Sequence, residues 1–122
     1  MIASRDIHNM NEALDRCDGY TTLGMLEEAR EELRSVHDEL RSTFPFMATC
    51  MNMCLKFEWW EEGAELGRQL LARWPENEEV RLATARCLLK SGHEIDGVML
   101  MRGIEPRRQG GRQYPGRSSR FE

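Results

Sequence analysis

An all-α fold, a solenoid of about three helix–turn–helix repeats built from six helices, is predicted by three observations on the 122-residue chain. Small residues stand at a fixed interval of 34: Ala29, Gly63 and Gly97, in EEA, EEG and IDG. The helical pattern breaks upstream of each, at Gly24, Glu58 and Gly92, again 34 apart. Apolar residues between the breaks recur at steps of three and four, the period of an amphipathic helix. A constant period of this size is the signature of stacked helical pairs.

The stretch from Glu58 to Asn77 carries the pattern most fully. Trp60, Gly63, Gly67, Leu70 and Trp74 fall on one stripe, and Pro75 ends it. Each glycine inside a helix costs roughly 1 kcal/mol relative to alanine, so these two imply close approach of a neighbouring helix. The other elements follow in order. Residues 5–22 are predicted as the first helix, with Ile7, Met10, Leu14 and Cys17 inward. Residues 25–41 form the second, on Leu26, Ala29, Leu33, Val36 and Leu40, with a mixed-charge outer face suited to solvent. Ser42 or Thr43 caps a third helix over 45–57 with Pro45 in its first turn, where its missing N–H costs nothing. Met47, Cys50, Met51, Cys54 and Leu55 make that helix apolar on more than one side, as burial between neighbours requires. Asn77, Glu78 and Glu79 begin the fifth helix, whose inner face is Val80, Ala83, Thr84, Cys87 and Leu88, and Gly92 closes it. The sixth, about 94–104, is short.

These residues resemble the tetratricopeptide-repeat (TPR) family over about residues 10–106. The matching positions are Cys17, Tyr20, Gly24, Leu26 and Ala29, then Trp60, Gly63, Leu70 and Pro75, then Ala85, Leu88, Gly92 and Gly97. Ala13 and Cys17, Met47 and Met51, and Arg81 and Ala85 stand where the family prefers an aromatic followed by a small residue, so the resemblance names no subfamily. It implies a TPR-like repeat domain over 1–105, followed by a tail over 106–122. It also implies that the first helix of each repeat lines a concave face. Helical steps from the core positions then put Asn52 and Lys56 of the third helix and Arg86 and Lys90 of the fifth toward that face, with Leu55, Leu82 and Leu89 beside them. Such a surface suits an extended or helical partner segment bearing acidic groups, although ordinary solvated side chains would look the same in sequence. The larger Lys/Asn/Arg set of the TPR carboxylate clamp is not present.

The net charge of −4 is unevenly placed. Five arginines and two glutamates from Glu105 onward give the tail a local +3, leaving −7 on residues 1–104. The tail, rich in Gly and Pro and without a helical stripe, is expected to be disordered. Its arginines and Tyr114 resemble a minimal RNA-binding segment, a reading that the acidic body opposes. At the end of the stack Val98, Met99, Met101 and Ile104 leave apolar surface without a solvating helix, which implies a marginally stable chain or, the favoured reading, association with another protein or as a homodimer.

Cys17, Cys50, Cys54 and Cys87 contain no CxxC pair. Cys50 and Cys54, four apart, would be half a metal site that no histidine pair or second thiol pair completes, so neither metal nor cofactor is expected. His8, His37 and His93 pair with no acid or thiol in a catalytic signature, and there is no phosphate loop, HExxH or GxSxG. No run of roughly 18 apolar residues spans a bilayer, and the amino-terminal residues lack the apolar centre of a secretory signal. The expectation is a non-enzymatic, cytoplasmic interaction module: a scaffold or adaptor for a peptide or helix. The alternatives are a small acidic chaperone of the type III secretion kind and RNA binding through the tail.

Overall fold

In the computed structural model, which describes residues 2–103, the regular structure is helical, with no strand among the described residues. The helices are α1 (Ser4–Thr22), α2 (Leu26–Arg34), α3 (Phe44–Lys56), α4 (Trp60–Arg73), α5 (Glu78–Lys90) and α6 (Glu94–Met101), with a 3-10 turn at Asp38–Leu40. Ile104 and the tail expected over 106–122 lie outside the described residues.

The repeat is visible in the element boundaries. α1, α3 and α5 end at residues 22, 56 and 90, and α2, α4 and α6 begin at 26, 60 and 94, so the turns recur every 34 residues. Each turn contains one residue in the left-handed region: Gly24 at φ 75°, Glu58 at φ 59° and Gly92 at φ 92°. Glycine adopts this conformation without a Cβ clash. Glu58 carries the strain of doing so with a side chain.

The chain divides into two compact units, one holding α1, α2 and α3 and the other α4, α5 and α6. In the first, α1 packs against α2 and α3. Met10, Ala13, Leu14, Cys17 and Thr21 of α1 are buried, as are Ala29 and Leu33 of α2. Seven residues of α3 are buried, among them Met47, Cys50, Met51, Met53 and Cys54, on more than one side of the helix. Arg16 ties α1 to α2 through Glu32 at 2.9 Å. Ile7, expected on the inner stripe, is 45 % exposed, and the buried residues of α1 begin at Met10.

The second helix stops sooner than its pattern suggests. Helix α2 ends at Arg34, where Ser35 Oγ donates to the Glu32 carbonyl at 2.6 Å and competes with the next helical bond. His37, at φ −56° and ψ 135°, then leaves helical geometry. Arg41 donates to the Val36 carbonyl at 3.3 Å and to the Arg34 carbonyl at 3.2 Å, satisfying acceptors at the broken end. Val36 and Leu40 are still buried, so the apolar stripe survives the interruption.

In the second unit α5 packs against both α4 and α6. The close approach implied by glycine is present: a Cβ on Gly67 would lie 2.7 Å from Thr84 Cβ and Cγ2 and nearer still to Oγ1. One on Gly97 would lie 2.7 Å from Leu89 Cγ and 3.1 Å from the Ala85 carbonyl oxygen. Asn77 caps α5, its Oδ1 accepting from the Val80 N–H at 3.0 Å. Arg81 closes α6 by donating to the carbonyls of Leu100 at 2.9 Å and Met101 at 3.0 Å, a cation at the negative end of a helix.

Candidate functional site

The predicted partner-binding residues fall into two sets, one in each unit. Asn52, Leu55 and Lys56 belong to α3, while Leu82, Arg86, Leu89 and Lys90 belong to α5. Three pairs among them are related by the 34-residue period: Asn52 with Arg86, Leu55 with Leu89, and Lys56 with Lys90. Lys56 and Lys90, the two lysines of the chain, are each the final residue of a helix, and both are exposed. Cations there stabilise the helix end, so exposure of the lysines has a sufficient local cause. The residues between them are more informative.

On α5, Leu82, Arg86 and Lys90 lie four residues apart along one exposed line. Leu82 is 45 % exposed, an apolar side chain beside two cations. Arg86 holds its guanidinium 5.6 Å from the centroid of the Trp60 ring on α4, a cation–π contact that orients the planar fork. Six arginines of the chain, Arg16, Arg30, Arg34, Arg41, Arg68 and Arg81, reach a carboxylate. Among the described residues, no carboxylate stands within ion-pair distance of Arg86 or Lys90. Leu89 does not join the exposed line. It is half-buried, and its side chain occupies the space left by Gly97 on α6.

On α3, Asn52 is exposed and Leu55 is half-buried. Asn52 lies near the carboxylate of Asp18 on α1, whose Oδ1 is buried without a hydrogen-bond partner among the described residues. Asp18 is the residue 34 positions before Asn52, so the same repeat position carries acid, amide and guanidinium in turn. Burial pushes the Asp18 carboxyl above its ordinary value, with Asp15 adding to the rise and Asn52 opposing it. Sequence reasoning missed Asp18 and Trp60. Counting back one period from Asn52 would have found the first. No spacing rule links Trp60 to Arg86, because their contact runs between helices.

The four thiols are buried. Burial raises Cys17 to about 11, Cys50 to about 12 and Cys87 to about 11, so these side chains stay protonated at neutral pH and pack as small apolar groups. Cys17 Sγ lies 3.8 Å from Met53 Sδ. Among the described residues, no group of three or more His, Cys, Asp or Glu side chains is placed to hold a metal ion. No described helix is long and apolar enough to cross a membrane. The arrangement on α5 offers binding chemistry: two point contacts for negative charge, one of them planar and oriented, next to an apolar contact.

No family model, curated protein or solved structure matches the chain.

Proposed function

We propose that the chain is a non-enzymatic interaction module, a TPR-like scaffold or adaptor that takes an acidic peptide or helix of a partner protein. The observation that carries this reading is the line Leu82, Arg86 and Lys90 on α5, exposed and without a carboxylate partner among the described residues, where six other arginines do reach a carboxylate. Side chains four apart on one helix match the spacing of a helical or extended segment laid along it. Arg86, steadied on Trp60, meets a carboxylate with little further loss of rotamer freedom.

Affinity capture from native cell extract tests the reading, with the wild type compared with Arg86→Glu/Lys90→Glu and, separately, Lys56→Glu. One protein retained by the wild type and lost from the double variant is the expected result. Retention unchanged by reversal of both α5 cations contradicts it.

A further inference from the structure

The exposed face of α6 is self-complementary. Gly97 and Leu100 turn inward, while Ile95, Val98 and Met101 are 77 %, 41 % and 51 % exposed. On an ideal helix the side chains of Glu94, Ile95, Val98, Met101 and Arg102 fall within one arc, centred on Val98. The apolar three are therefore bracketed by an acid at one end and a base at the other. Among the described residues, neither Glu94 nor Arg102 forms an ion pair.

The second unit also records what such a face accepts. Val98 and Met101 stand one 34-residue period after Ala64 and Gly67 of α4. Ala64 is fully buried, and Gly67 receives Thr84 of α5. The equivalent face of α4 is thus covered by a helix, whereas on α6 the residues are larger, apolar and exposed.

We propose that this face binds the same face of a second copy of the chain, with the two α6 helices antiparallel about a two-fold axis at Val98. In that register Val98 meets Val98, Ile95 lies level with Met101, and Glu94 lies level with Arg102, the residue just past α6, whose long side chain can reach across the contact, each unlike pair occurring twice. An isologous contact of this kind closes after two copies. The charge order selects the antiparallel arrangement, since a parallel one would set Glu94 against Glu94 and Arg102 against Arg102. The contact is small, one two-turn helix from each copy, so the dimer dissociates on dilution. The face is separate from the α5 line, and the proposal does not rest on the function proposed above.

Sedimentation across a concentration series tests it, with far-UV circular dichroism as the check on folding. The wild type is expected to approach a dimer at high concentration. Val98→Asp, at a position 41 % exposed, is expected to keep its helicity and to remain monomeric there. Glu94→Arg and Arg102→Glu are each expected to raise the dissociation constant by roughly tenfold. The double variant Glu94→Arg/Arg102→Glu, which restores unlike charges, is expected to return it to within about threefold of the wild type. A wild-type chain that stays monomeric up to millimolar concentration overturns the proposal, as does a dimer indifferent to Val98→Asp or a double variant no better than the single ones.

Discussion

The first unit fills its interior with sulfur and methyl groups, whereas the second brings helices together over glycine. Met10, Met47, Met51, Met53, Cys17, Cys50 and Cys54 are all buried within α1 and α3. Unbranched thioethers adjust to irregular space, so that interior does not depend on one fitted shape. In the second unit the separation of α4 from α5 is set by Gly67 against the fully buried Thr84, whose Oγ1 is held by the Val80 carbonyl at 2.7 Å. A β-branched side chain in a fixed rotamer cannot retreat. One period thus supports two kinds of core, one adaptable and one narrowly specified.

The largest effect should come from the specified core. Gly67→Ala gains helix propensity of roughly 1 kcal/mol but forces a methyl group into Thr84, and overpacking costs roughly 1–3 kcal/mol, toward the upper end here because Thr84 Cβ itself is in the way and moves only with its backbone. Net destabilisation of about 1–2 kcal/mol is expected in urea unfolding. It should be partly relieved in Gly67→Ala/Thr84→Ala, which would show a coupling of at least about 0.5 kcal/mol in a double-mutant cycle. Additive single effects would mean that the α4–α5 contact is looser than described.

Glu58→Gly probes the turn at the boundary between the two units and should act in the opposite direction. Replacing the left-handed glutamate with the residue type found at Gly24 and Gly92 is expected to raise stability by about 0.5–1 kcal/mol, read as a higher urea midpoint. A fall would place a stabilising role on the Glu58 side chain. Met53→Leu, at a fully buried position of the first unit, conserves volume and is expected to cost under about 1.5 kcal/mol. A larger loss there would show that the sulfur-rich core is as narrowly specified as the other.

The smallest effect at neutral pH belongs to the thiols, and it grows only in alkali. Their ordinary value is 9.0, raised by burial to about 11 for Cys17, about 12 for Cys50 and about 11 for Cys87. Above pH 9 the unfolded chain loses these protons while the folded chain keeps them, so the unfolded state binds fewer protons and stability falls as pH rises. Their contribution is complete below pH 9 and is lost progressively toward pH 11–12. The urea midpoint of Cys50→Ala should decline less steeply over that range than that of the wild type. Equal slopes would mean that ionisation of Cys50 does not contribute to the alkaline loss of stability.

Much of the fold was legible because the turns carry their own signals. Gly24 and Gly92 mark left-handed residues, Pro45 and Asn77 mark helix starts, and the common interval places Glu58 among them without a glycine. The early end of α2 was not legible, because Val36 and Leu40 keep the helical stripe even though a serine and an arginine satisfy the broken backbone. For the candidate site, the sequence supplied the positions but not the partners. Leu82, Arg86 and Lys90 could be counted onto one line, whereas the turn of Leu89 toward Gly97, the nearness of Asn52 to Asp18 and the contact of Arg86 with Trp60 depend on neighbouring helices. Position along a helix follows from its period. Contact across helices requires the fold.

Charge-reversal rescue tests the proposed α5 binding line most directly. With a captured acidic segment in hand, its affinity would be measured by titration calorimetry for the wild type, for Arg86→Glu/Lys90→Glu, and for the double variant with the segment's acidic residues replaced by lysine. Binding is expected to weaken by at least roughly a hundredfold in the double variant and to recover when the segment's charge is reversed. Binding that survives the double variant, or a reversed segment that fails to recover it, would contradict the assignment of this face.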